Sequence, residues 1–125
     1  MAARIERGDI RMYQHPGAGK RRPVLVLTRH GTIRHLSKVT IAPITSSVRG
    51  VPSEVALDVE DGMKKRCAVN FHNLVTVGQR NLGRRVGKLG PEKMTEACQA
   101  LLYALGCDVW SPAGGVADLI GGVTQ

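Results

Sequence analysis

The side chains from which this sequence could build chemistry are four histidines, three cysteines and an excess of Lys and Arg. His15, His30, His35 and His72 stand at no spacing that would gather ligands around one ion. Cys67 precedes His72 by five residues but lacks further partners. Cys67, Cys98 and Cys107 form no Cys-x-x-Cys pair, which argues against a zinc knuckle or a disulfide framework and suits a reducing compartment. The stretch Gly17-Ala18-Gly19-Lys20 lacks the Walker spacing and its Ser or Thr, and neither a Gly-x-Ser-x-Gly elbow nor a paired-carboxylate pattern occurs. The residues therefore give no reason to expect a metal or a cofactor.

Charge is the stronger signal. Eighteen Lys and Arg stand against ten Asp and Glu, a formal net charge of +8, and the sequence pI is near 10.0. Such an excess raises the local concentration of polyanions and speeds their capture, so nucleic acid or an acidic protein is the natural partner. Charge alone is equally compatible with a merely solvated surface. Aromatic residues make up only 3% of the chain, too few for a row of base-stacking faces. Contacts to a nucleic acid would fall to guanidinium, ammonium and backbone groups.

The elements that must position these charges read as short strands. Gly8 to Tyr13 alternates polar and apolar, as a half-buried strand does. The turn-rich basic loop His15 to Arg21 runs into Arg22-Pro23-Val24-Leu25-Val26-Leu27-Thr28, a buried-strand pattern that Pro23 can open. Arg29 to Lys38 reads as a polar connection. Val39 to Thr45 forms a third strand, in which Pro43 requires an edge or a bulge. Glu54 to Leu57, Cys67 to Phe71, Leu74 to Val77 and Arg84 to Leu89 complete a set whose spacing predicts a small barrel or sandwich.

One helix is expected after Gly90-Pro91, with Met94, Ala97, Cys98, Leu101, Leu102 and Leu105 on a single core-facing stripe and Gly106 closing it. Residues 1–107 are expected to form one domain and 108–125 a loosely held tail. Met1 to Arg11 has no apolar core of a signal peptide, and no apolar run approaches the ~20 residues of a membrane span. A cytoplasmic protein with no membrane partner is expected.

Several fragments, taken in order, carry a resemblance. Arg7-Gly8-Asp9-Ile10, Arg22-Pro23-Val24-Leu25-Val26 and Ile41-Ala42-Pro43-Ile44-Thr45-Ser46 are followed by Val69-Asn70-Phe71-His72-Asn73-Leu74-Val75-Thr76 and Leu89-Gly90-Pro91-Glu92-Lys93-Met94. Together they resemble the MazF/PemK (Kid) ribonuclease toxins of type II toxin–antitoxin systems, over about Arg7 to Gly106. The resemblance implies a mainly β, SH3-like antiparallel barrel with a C-terminal helix, a homodimer and cleavage of single-stranded RNA. It also implies neutralisation by a cognate MazE-like antitoxin with an acidic disordered segment. None of this is read from composition.

Metal-free RNA cleavage uses the 2′-OH as nucleophile and leaves a 2′,3′-cyclic phosphate and a 5′-OH. An enzyme must move two protons and stabilise charge on the phosphorus in between. By resemblance, Arg22 is the catalytic arginine, a planar fork of donors for phosphate oxygens. Thr45 matches the family hydroxyl; alternatively it is a strand-end hydroxyl bonded to local backbone. Lys20, Arg21, Ser46, Asn73 and Thr76 are expected to bind RNA. Where many members have a carboxylate and a second arginine, this chain has His72 and Val75, and its loop after the first strand is shorter. His72 is then a candidate general acid or base, with a structural turn histidine as the alternative. Two other functions compete: a CcdB-type gyrase-directed toxin, and a noncatalytic SH3-like nucleic-acid-binding module.

Overall fold

The computed structural model describes residues 4–109. Seven strands form: β1 (Asp9–Tyr13), β2 (Arg22–Val26), β3 (Lys38–Thr45), β4 (Glu54–Leu57), β5 (Cys67–Asn70), β6 (Val75–Gly78) and β7 (Arg85–Lys88), followed by the helix α1 (Pro91–Leu105). All pairings are antiparallel, in the order β4-β5-β3-β2-β1-β7, with β6 also on β3.

β3 organises the sheet because two strands share one of its edges. Ile44 and Thr45 pair with Val69 and Ala68 of β5, while Lys38 to Ile41 pair with Gly78 to Val75 of β6. The Leu27 amide donates to the Thr40 carbonyl at 2.9 Å, so even-numbered β3 residues aim their backbone groups at β2 and odd-numbered ones at β5 and β6. The N–H that Pro43 lacks is therefore missing on the β5–β6 side. There the ladder breaks, and Phe71 to Leu74 loop out as a turn. The proline thus decides where the chain leaves the sheet.

Both faces of the sheet are covered, which explains the unbroken apolar run of β2. On one face Ile10, Leu25, Ile44, Val69 and Phe71 pack beneath α1 through Ala97 and Ala100. On the other, Tyr13, Val24, Val26, Ile41 and Val77 pack against Ile5 and Ile33. Ile33 lies in a 3-10 turn, Ile33–His35, inside a stretch that reads in sequence as polar connection only. Burying side chains of this size stabilises by about 1.5–3 kcal/mol each.

The outer strands β4 and β7 do not pair with each other; the sheet is a curled half-barrel. The 3-10 turn Val59–Asp61 after β4 meets β7 backbone to backbone instead. A Cβ on Gly87 would lie 3.1 Å from the Asp61 carbonyl, and one on Gly62 (φ +92°) would lie 3.3 Å from that of Val86. Glycine at both positions permits the approach.

The expected stripe on α1 needs correction. Ala97 and Ala100 are buried and Met94, Leu101 and Ala104 partly so, but Leu102 is 45% and Leu105 59% exposed. At ~100° per residue, Leu102 lies well away from the Ala97–Leu101–Ala104 line, so hydrophobicity alone misassigned it. Gly106 ends the helix at φ +74°, as expected. Of the expected tail, Asp108 and Val109 are exposed, and residues 110–125 lie outside the described residues.

Candidate active site

Arg22 is the first residue of β2 and is exposed. It pairs with Tyr13 of β1, whose ring is buried and meets the His15 ring edge-on at 4.9 Å. On the other side, β2 and β3 pair Val24 with Pro43, Leu25 with Ala42 and Val26 with Ile41. Carried two positions beyond Val24–Pro43, this register sets Arg22 opposite Thr45. Opposed residues of antiparallel strands share a face, so both side chains belong to the same face near one end of the sheet. Among the described residues no carboxylate pairs with Arg22, Lys20 or Arg21.

Thr45 Oγ1 accepts the Ser47 amide at 3.1 Å. This is the local backbone bond foreseen for a strand-end hydroxyl, yet it engages only an acceptor lone pair. The O–H remains a donor. Ser46, next to it, is exposed.

The loop before Arg22 is a tight turn with Gly17 at φ +82°, the Ala18 amide donating to the His15 carbonyl at 2.9 Å and Gln14 Nε2 to that of Ala18 at 3.2 Å. Lys20 is exposed at its end. Arg21 goes to the opposite side from Arg22: a Cβ on Gly83 would lie 2.6 Å from its Nη1. Consecutive arginines thus serve different faces of β2.

His72 and Asn73 sit in the turn beside Pro43, both exposed, and the His72 amide donates to Asn70 Oδ1 at 2.9 Å. Val75 pairs with Ile41, on the same face as Arg22 and Thr45. Thr76 pairs with Thr40 and lies on the other face, so the structure does not bring it to the Arg22 side. Arg22, Thr45 and Ser46 share one end of the sheet; His72 and Asn73 stand in the turn beside Pro43, Lys20 borders Arg22, and Arg21 and Thr76 belong to the other face.

Arg7, Gly8 and Asp9, by contrast, are structural. Arg7 donates to the Leu27 carbonyl through Nη1 and to Cys98 Sγ through Nη2 at 3.2 Å. Asp9, fully buried, accepts from Arg11 Nε at 3.2 Å and Nη2 at 3.1 Å. Cys67 is buried, and desolvation pushes its thiol above the ordinary value, which keeps it neutral and poorly nucleophilic.

Sequence reasoning missed a second basic cluster. Lys64, Lys65, Arg84 and Arg85 rim a slot of about 470 Å³ beside Pro23. The doublets were visible, but some 20 residues separate them, and only the contact of Gly62 with Gly87 brings them together.

A curled antiparallel half-barrel with one C-terminal helix is the fold of a class of small toxins. The family model for PemK-like, MazF-like toxins of type II toxin–antitoxin systems matches residues 6–105, and the chain belongs to that family. It is 36% identical over 104 residues to a probable endoribonuclease MazF2 of Mycobacterium tuberculosis, covering 82% of this chain and 100% of that protein. It is 38% identical over 89 residues to endoribonuclease MazF3 of the same species, covering 71% of this chain and 86% of that one. The solved Mycobacterium tuberculosis toxin MazF-mt6 superposes with a TM-score of 0.72 at 36% identity, over 78% of this chain and 96% of that one. An endoribonuclease in complex with its cognate antitoxin, from a mycobacterial species, gives a TM-score of 0.75 at 27% identity, over 86% and 100%.

Proposed function

We propose that this chain is the toxin of a toxin–antitoxin pair, an endoribonuclease that cuts single-stranded RNA at short sequences, without a metal, and so halts translation and growth. The observation that carries the proposal is Arg22 set opposite Thr45 by the β2–β3 register, in a chain whose relatives are endoribonucleases. Those relatives favour RNA over a gyrase-directed action. A cognate antitoxin with an acidic segment suits the net charge of +8, and a homodimer completes the reading. Among the described residues no helix is long and apolar enough to cross a membrane, and the proposed compartment is the cytoplasm.

In the reaction the 2′-oxygen attacks the adjacent phosphorus and loses its proton, while the 5′-oxygen leaves and gains one. Arg22 stabilises the charge that builds on the non-bridging oxygens; preorganised electrostatics of this kind is usually the largest catalytic term. A guanidinium holds its proton too firmly to carry one in the reaction. Thr45 O–H donates to a phosphate oxygen. His72, an imidazole able both to accept and to give up a proton, takes one of the proton transfers.

The test is incubation with a long single-stranded RNA in EDTA, beside Arg22→Ala. Discrete fragments with 5′-OH ends from the wild type alone are expected. Intact RNA in both lanes would leave a binding-only module. For His72, the pH–rate profile of His72→Ala should lose one limb; an unchanged profile would return His72 to a structural role.

A further inference from the structure

Beside the close contact of Gly62 with Gly87, a slot of about 470 Å³ with an apolar floor opens between the segment after the Val59–Asp61 turn and β7. We infer that this slot is a base subsite: it takes one unstacked base of the RNA, while Lys64 and Lys65 hold the phosphates beside it. The inference rests on the ribonuclease reading above and names a part of its substrate site.

The floor is made by Met12, Pro23, Met63, Cys67 and Val86. Two of these are thioethers, soft groups that pack favourably against aromatic rings. The rim cations are exposed, and the slot has no carboxylate in its lining. A flat apolar body carrying negative charge at its edge meets both conditions, and a nucleotide of single-stranded RNA has that form. Proteins read single strands by splaying bases out and seating them on aromatic or guanidinium planes. With aromatic residues so scarce here, the guanidinium plane of Arg84 takes that part, Arg85 being turned toward Asp9 Oδ1 at 3.8 Å.

Position ties the slot to the chemistry. Pro23 in its floor follows Arg22 directly and pairs with Met12, also in the floor. Arg21 lies over Gly83, immediately before Arg84. An RNA strand that presents its scissile phosphate to Arg22 on one face of β2 rounds the strand end past Arg21 and drops a flanking base into the slot on the other. This accounts for the division of the two arginines between the two faces.

The experiment uses Arg22→Ala protein, which holds RNA uncut, and single-stranded oligonucleotides with one abasic position moved along the sequence. One abasic position should weaken binding about tenfold. That penalty should vanish when Met63→Ala is added, because the base and the thioether contribute one shared contact. Lys64→Glu and Lys65→Glu, on the exposed rim and safe for folding, should each weaken all oligonucleotides alike and lower the salt slope by about 0.7. An abasic scan without a position-specific penalty, or a penalty and salt slope untouched by these variants, overturns the subsite. If the wild type still cuts RNA in that case, the nuclease reading stands alone. If the abasic pattern appears but the wild type cuts nothing, the subsite stands and the nuclease reading falls.

Discussion

Arg11 and Arg22 occupy the same face of the same two strands, two positions apart in register, and have opposite fates. Arg11 is buried and fully engaged: it donates to Asp9 Oδ2 through Nε and Nη2, to the Gly83 carbonyl at 3.2 Å and to the Arg4 carbonyl at 3.0 Å. Arg22 is exposed and, among the described residues, pairs with no carboxylate. The cause is local. Asp9 stands two residues before Arg11, and a strand period of two puts both side chains on one face. Two residues before Arg22 stands Lys20, and two after it Val24, so nothing there can neutralise it. The lesson is that a guanidinium on this sheet serves folding where the sequence supplies its anion, and an outside anion where it does not.

That contrast is broken most sharply by cleavage assays. Removing a preorganised donor to a transition-state oxyanion costs roughly 10²–10³ in rate, and Arg22→Ala should lose at least that much. Its melting temperature should stay where it was, because exposed substitutions shift stability by about 0.5 kcal/mol or less. Cleavage persisting in Arg22→Ala would remove the distinction altogether.

The mirror-image variant is Arg11→Met. It leaves Asp9 buried with Oδ1 already unbonded, Oδ2 held by the Glu6 amide alone at 3.0 Å, and the only cations beside it the more distant Lys88 (3.6 Å) and Arg85 (3.8 Å). Breaking a buried pair on one side costs about 3–5 kcal/mol, read as a drop in thermal midpoint on the order of 10 °C. Cleavage per folded molecule should be unaffected. A folded, equally stable Arg11→Met protein would show that the pair does not hold β1 in place.

Thr45 lies between the two cases, since its oxygen serves the backbone while its proton is unassigned. Thr45→Val should reduce cleavage about tenfold and Thr45→Ser should restore most of it, with the folded fraction followed by circular dichroism. If Thr45→Val instead lowers stability and leaves the rate per folded molecule unchanged, the hydroxyl belongs with Arg11 rather than Arg22.

How much of this was legible in the residues differs by element. The strands were plain because turn residues punctuate them, whereas Pro43, read as the mark of an edge or a bulge, stands in the interior strand β3 at the gap between β5 and β6. The opposition of Arg22 and Thr45 came only through the family resemblance, since register between strands is not written locally. Leu102 and Leu105 misled because a helix end rich in leucine looks core-facing whichever way it turns. Thr76 was placed with the site by its neighbours in sequence, yet alternation puts it on the other face. The basic slot was invisible because it depends on two distant glycines meeting.

The smallest effect concerns Glu6, which pairs with Lys88 at 2.6 Å just outside the buried Asp9–Arg11 pair. The hydrogen bond and charge of Lys88 lower its carboxyl below the ordinary 4.5. A lowered folded-state pKa means that the pair stabilises above the unfolded value and that this contribution is lost as pH falls through the folded one. Wild type should therefore melt slightly above Glu6→Gln near neutral pH, and the two curves should converge in acid. Because both partners are partly exposed, ~1 M salt should shrink the neutral-pH gap as well. Parallel curves at every pH would mean that only the buried member of this charge cluster, Asp9, contributes to the fold, and that the surface pair belongs with the uncommitted charges around Arg22.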